Sequence, residues 1–212
     1  MTRLQQLYQE LTQSEFYRNI AGLFTGIFAA RLIPALFALA IARLYTPQDF
    51  GEFVFFLSIA SLLSIVANGG YEGALLLAES PLEKSRILSL SLKNNLGINS
   101  LALVAIGMGL CFSHSAGANR WLWLMTPFYS FSFGFFQLIR NLLISNKSFR
   151  DLAHLEIFRA AGTGVFQTLL FVLPQTGLFL GIILSQLLAP VFLYSKLPRL
   201  PGIGWYSSEE KD

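Results

Sequence analysis

Six apolar blocks, each about as long as a bilayer core is thick, leave this chain few folds to choose from. A helix needs about 20 residues to cross the hydrocarbon, and the blocks at 19–44, 50–78, 93–112, 121–144, 155–173 and 178–194 are of that order. Only Pro174, Gln175 and Thr176 separate the last two, which makes that boundary the weakest. A soluble bundle would show polar faces at the helical period, and these blocks show almost none. With 54% hydrophobic and 13% charged residues, the composition also lies outside that of ordinary soluble domains. The expected fold class is all-α: a polytopic membrane protein with six transmembrane helices.

Lysine and arginine set the expected orientation. With the N-terminus in the cytoplasm, that side receives Arg3, Arg18, Lys84, Arg86, Lys93, Arg140, Lys147, Arg150, Arg159, Lys196, Arg199 and Lys211, and the far side receives Arg43 and Arg120. This positive-inside asymmetry fits six alternating spans with both termini cytoplasmic. The net charge of +3 follows from that topology; anionic inner-leaflet lipid is a sufficient counterpart, and no nucleic-acid partner is implied. Cys111 is the single cysteine, so neither an intrachain disulfide nor a thiolate metal cluster is expected. Residues 1–18 lack the apolar core of a signal peptide. Their Leu4, Leu7, Tyr8 and Leu11 share one helical face, which suggests a short interfacial amphipathic helix. Residues 19–195 then form the transmembrane unit and 196–212 a short cytoplasmic tail.

The connections carry their own signals. Thr46 is a suitable N-cap, Pro47 suits a first helical turn, and Asp49 places negative charge at that helix's positive end. Pro81 opens a surface helix that feeds the third span. Trp121 and Trp123 fit an interfacial aromatic belt. Asn146, Lys147 and Ser148 match a glycosylation acceptor but fall on the cytoplasmic side. Pro34, Pro127, the Gly69–Gly70 pair and Gly162-Thr163-Gly164 can bend membrane helices, and transporters use such breaks at binding sites. Gly22xxxGly26, Gly69xxxGly73 and Gly177xxxGly181 permit close helix approach.

No phosphate-binding GxxxxGK[ST] loop and no HExxH occur, His114 and His154 lie near loops, and Asp49, Asp151 and Asp212 are dispersed. No nucleophile or acid–base constellation stands out, so the reading is a non-enzyme with neither cofactor nor metal. What remains is a sparse set of polar groups in or near the spans. Arg31 lies roughly 18 Å along the first span at the helical rise. Glu72 lies on the second. Arg140 with Asn141, and Glu156 with Arg159, sit at the inner ends of spans four and five, with Gln137 and Gln167 deeper. Snorkelling or interfacial pairing accounts for Arg140, Glu156 and Arg159 without any ligand. Arg31 and Glu72 either pair across the first two spans, or Arg31 stands in a wet cavity as an anion site, its fork matching phosphate oxygens in pairs.

The run "ARLYTPQDFGEFVFFLSIASLLSIVANGGYEGALLL", following an arginine and proline in the first span, resembles the Wzx-type oligosaccharide (O-antigen) flippases of the MATE-like exporter superfamily. The likeness continues through "LIRNLLISNKSFRDLAHLEIFRAAGTG" to "GLFLGIILSQLLAPVFLYSKL". It is most specific over 44–77 and elsewhere rests mostly on span spacing. The resemblance implies a bacterial inner-membrane protein of surface polysaccharide biosynthesis, lipopolysaccharide O-antigen included. Its substrate would be a polyprenyl-pyrophosphate-linked oligosaccharide moved by alternating access. Arg31 and Glu72 match the family's first- and second-span charges, and Arg140 and Arg159 its basic residues around spans four and five. Such flippases have twelve or more spans, so the chain corresponds to the N-terminal six-helix lobe. A parallel homodimer or a separately encoded second lobe would complete the cavity. A cation-coupled multidrug antiporter half with Glu72 as the ion-binding group, and a membrane scaffold or inactive fragment, are the competing readings.

Overall fold

A computed structural model describes residues 15–112, 120–173 and 176–193. These residues form helices with no strand among them: α1 (Glu15–Leu44), α2 (Pro47–Asn68), α3 (Tyr71–Leu77), α4 (Pro81–Phe112), α5 (Arg120–Ser145), α6 (Phe149–Leu169) and α7 (Gly177–Phe192), with a 3₁₀ turn at Leu170–Val172. The all-helical expectation holds for them. The expected interfacial helix at 1–18 lies outside the described residues except where α1 begins, and the tail at 196–212 lies outside them altogether. Among the described residues, four helices are long and apolar enough to cross a membrane: Pro47–Asn68, Pro81–Phe112, Leu122–Ser145 and Phe149–Val172; Gly177–Phe192 is apolar and shorter. They fit a membrane-embedded protein. The exposed large side chains, among them Leu36 at 71%, Leu62 at 67% and Leu101 at 70%, fit the same setting, since water would penalise them.

The α1–α2 hinge forms as its residues require. Thr46 Oγ1 accepts from the Asp49 N–H at 3.2 Å, and the Thr46 N–H donates back to Asp49 Oδ2 at 2.8 Å. This reciprocal cap, with Pro47 at the first helical position, satisfies amides that a helix start leaves bare. The other end of α2 departs from the sequence reading. The apolar block at 50–78 is not one helix: it stops at Gly69 and resumes at Tyr71. Gly69 (φ 60°) and Gly70 (φ 73°) both take left-handed backbone, which a Cβ would strain. Conversely, the helix containing 93–112 begins earlier than the apolar block, at Pro81.

Helix α5 is the hub. It shares a core with α3 and α4 through Leu75, Leu88, Leu138 and Leu142. A second core joins it to α2 and α7 through Phe56, Ala60, Tyr129, Phe179 and Ile183. A third, with α6 and α7, holds Phe136, Leu143, Leu155 and Ala189. Helix α1 packs chiefly along α6, and Gly164 makes that possible, because a Cβ there would run into the Phe37 ring. Small residues also seat α7 on α6. A Cβ at Gly181 would lie 2.8 Å from the Gln167 main-chain nitrogen, and one at Gly177 would press on the Leu170 carbonyl. Of the expected close-approach glycines, Gly177 and Gly181 therefore act in packing, whereas a Cβ at Gly73 meets nothing within 4 Å.

Candidate functional site

A helix broken inside an apolar layer exposes backbone groups that lipid cannot satisfy. The surroundings of Gly69–Gly70 supply partners from the main chain and from side chains. The Gly69 N–H bonds the Val66 carbonyl at 3.0 Å, Asn94 Nδ2 donates to the Ala67 carbonyl at 3.0 Å, and Asn141 Nδ2 donates to the Glu72 carbonyl at 3.3 Å. The asparagines of α4 and α5 thus hold the break open as a built feature.

Beside it runs a chain of amides. Asn99 Nδ2 donates to Asn95 Oδ1 at 2.6 Å, Asn95 Nδ2 to Asn68 Oδ1 at 2.8 Å, and Asn68 Nδ2 to Glu72 Oε2. A carboxylate only accepts, so Asn68 turns its nitrogen toward Glu72, and that choice dictates every amide behind it. Two main-chain carbonyls hold the same polarity: Gly134 O accepts from Asn68 at 3.4 Å and Asn95 O from Asn99 at 2.8 Å. Asn68, Asn95 and Asn99 are buried (1%, 0% and 5% exposed), and Glu72 is half-buried at the end where the donors point. The chain fits because Gly134 lacks a side chain; a Cβ there would overlap the Asn95 amide.

Lys84 Nζ donates to the Ser145 carbonyl at 3.3 Å and to Asn146 Oδ1 at 2.9 Å, tying the start of α4 to the end of α5. Farther along, Asn95 of α4 packs over Gly134 of α5. Asn99 Oδ1 and Ser130 Oγ are buried, and neither has a hydrogen-bond partner among the described residues. The oxygen end of the amide chain is therefore bare, while its N–H end meets a carboxylate.

The second polar cluster lies near the α5–α6 turn. Arg140 Nε donates to Glu156 Oε1 at 3.0 Å, and Arg159 donates to Glu156 Oε2 through Nε at 3.3 Å and Nη2 at 3.1 Å. The Arg159 guanidinium also sits 5.2 Å from the centre of the Phe136 ring, a cation–π distance. Two guanidinium charges against one carboxylate leave one net positive charge. The side chains are 38% and 32% exposed, with Glu156 at 15%. A guanidinium carries five N–H donors; Arg140 spends one of these on Glu156, so both arginines keep donors for an incoming anion.

Of the residues singled out from sequence, Arg140 and Arg159 are thus brought together through Glu156, while Glu72 stands at the helix break. Arg31 is exposed on α1. Helix α1 packs on α6 and α3 on α4 and α5, and among the described residues no hydrogen bond or ion pair joins Arg31 to Glu72. The asparagine chain was not anticipated, although Asn95 and Asn99 at helical spacing inside an apolar block, with Asn68 just before a glycine pair, are its signal. No group of three or more histidine, cysteine, aspartate or glutamate side chains able to hold a metal occurs among the described residues. Set against protein-family models, curated proteins and solved structures, the chain matches none of them.

Proposed function

We propose that the chain is one lobe of a bacterial inner-membrane flippase for a polyprenyl-pyrophosphate-linked oligosaccharide, six spans with both termini in the cytoplasm. The observation that carries the reading is the convergence of Arg140 and Arg159 on Glu156. Two arginines sharing one carboxylate keep a net positive charge, and their planar forks match phosphate oxygens in pairs. The lipid-linked pyrophosphate would approach this cluster from the cytoplasmic leaflet, with Glu156 holding both arginines until the anion competes for them. A second copy of the chain in parallel orientation, or a separate second lobe, would close the cavity.

Complementation of a strain deleted for the gene tests this. Arg140→Ala together with Arg159→Ala should abolish surface polysaccharide, while Arg159→Lys should restore part of it. Normal polysaccharide in the clean deletion would overturn the reading. A cation-coupled multidrug antiporter half is the second reading, favoured by Glu72 at a helix break; drug sensitivity on deletion with unchanged polysaccharide would select it.

A further inference from the structure

Beside the α1–α2 hinge, helices α2 and α5 flank a groove of about 150 Å³ that neither polar cluster uses. Its α2 wall is Glu52, Phe55, Phe56 and Ile59, and its α5 wall includes Trp123 and Thr126. The two helices run the same way along it. The Phe56 and Tyr129 rings meet at 6.1 Å, and farther on Asn68 reaches the Gly134 carbonyl. Glu52 therefore stands at the hinge end, where α2 begins, and Ile59 lies about 10 Å deeper at the helical rise.

Below Glu52 the groove suits an apolar occupant. Thr126 is buried and donates its hydroxyl to the Leu122 carbonyl of its own helix at 3.2 Å, so the floor needs no polar ligand. Phe56 is fixed in the core with its ring 4.4 Å from that of Phe179, which keeps the wall in shape. Phe55 and Trp123, 63% and 42% exposed, stand at the mouth, and tryptophan at this level fits the headgroup boundary. The hinge end is different in kind. Glu52 is half-buried, and its Oε1 accepts from the neutral Gln48 amide at 3.1 Å. The ion pairs among the described residues are those of Glu156, so none of them neutralises Glu52. Asp49, about one turn nearer the hinge, is engaged in capping Thr46 and adds a second negative charge. An anionic end above an apolar slot has the polarity of a lipid with an ammonium headgroup.

We propose that this groove binds a phospholipid whose headgroup ends in a primary ammonium, in the leaflet on the hinge side. The ammonium donates to the Glu52 carboxylate in a charge-assisted hydrogen bond, and the upper acyl chain lies between Phe55, Ile59 and Trp123. Lipid tails are as apolar as the groove, so the chain gains packing contact and no hydrophobic transfer. Selection consequently rests on the headgroup, and Glu52 makes it. An anionic headgroup meets two carboxylates and is repelled; a quaternary ammonium has no N–H to donate. The site is separate from the arginine cluster and does not depend on what the chain transports.

The full chain in nanodiscs tests it, with Trp121→Phe and Trp205→Phe leaving Trp123 as the one tryptophan. Phosphatidylethanolamine or phosphatidylglycerol, brominated on the upper half of the acyl chain, is titrated into a phosphatidylcholine host, and bromine quenches a tryptophan that it touches. The ethanolamine lipid should reach half-maximal quenching at a mole fraction roughly threefold below that of the glycerol lipid, a factor that a partly exposed ion pair supports. Glu52→Gln should make the two lipids equal, whereas Glu79→Gln, an exposed carboxylate outside the groove, should preserve the difference. Ile59→Phe, which fills the groove, should weaken quenching by both. Free ethanolamine in solution should leave the quenching unchanged. Equal quenching by the two lipids with Glu52 in place, or an undiminished preference in Glu52→Gln, would overturn the proposal. Relief of quenching by free ethanolamine would overturn it too, by assigning the site to a soluble amine. If Glu52→Gln fails to fold, the comparison of the two lipids with Glu52 in place decides.

Discussion

Substituting Gly134 by alanine is the sharpest single perturbation of the polar interior. The residue lies in the middle of α5, and an added methyl would overlap the Asn95 amide and come within 2.5 Å of Asn68 Oδ1. Helix propensity alone favours the change by up to about 1 kcal/mol. Against it stands overpacking at about 1–3 kcal/mol, because the obstacle is a pair of side chains held by their own hydrogen bonds. Separating Asn95 from Asn68 further removes an interhelical bond worth about 0.6–1.7 kcal/mol in a membrane protein. The net expectation is a loss of roughly 1–4 kcal/mol, dominated by the overpacking. The control is Gly97→Ala on α4, where a Cβ meets nothing within 4 Å and only propensity acts. Reversible unfolding of both variants in mixed micelles, compared with the wild type, reads the difference. If Gly134→Ala proves as stable as Gly97→Ala, the Asn68–Asn95 contact over Gly134 is not what packs α5 against α2 and α4.

Three further outcomes follow from separate contacts. Gly164→Ala should cost about 1–3 kcal/mol by pushing Phe37 off α6. Adding Phe37→Leu should recover part of that loss in the same unfolding assay, whereas a purely additive double mutant would contradict the contact. Tyr45, in the α1–α2 hinge, is buried and donates to the Gln167 carbonyl at 2.8 Å, and burial, with a smaller contribution from Asp49, holds its hydroxyl pKa above the ordinary tyrosine value. The folded protein thus retains that proton longer than the unfolded chain, so the Tyr45 contribution is complete below about pH 10 and lost as pH rises through the folded value; Tyr45→Phe should flatten that alkaline loss and cost about 1 kcal/mol at neutral pH. At the arginine cluster, Arg159→Ala should weaken pyrophosphate binding roughly tenfold while Glu156→Gln, which removes the competing carboxylate, should hold or tighten it; equal losses in both variants would point to a purely structural cluster.

Local signals in the sequence were read reliably where the cause is local. The α1–α2 hinge is an example, because Thr46, Pro47 and Asp49 need only each other to start a helix. The pairing of Glu156 with Arg159 is likewise a neighbour effect along one helix. What a single block could not reveal is which bend is used. Gly69–Gly70 becomes a break because Asn94 and Asn141 arrive from other helices to take up carbonyls near it, and Gly73 stays unpacked although it completes a close-approach spacing. The amide chain was illegible for the same reason: its links join α2, α3 and α4 over Gly134 of α5, and nothing in the order of residues announces that they meet. Arg31 was singled out for its depth along the first span, yet a partner for it depends on how α1 leans, and α1 leans on α6.

The central claim, translocation of an anionic lipid-linked oligosaccharide by this chain, is tested most directly in proteoliposomes. The purified full chain is reconstituted with a fluorescent polyprenyl-pyrophosphate oligosaccharide, and a membrane-impermeant quencher reports the fraction of label on the outer leaflet over time. The account predicts that the wild type equilibrates the lipid between leaflets faster than protein-free vesicles do, and that Arg140→Ala with Arg159→Ala reduces the rate to the protein-free level. A wild-type rate no greater than that of protein-free vesicles, or full activity without both arginines, would contradict it.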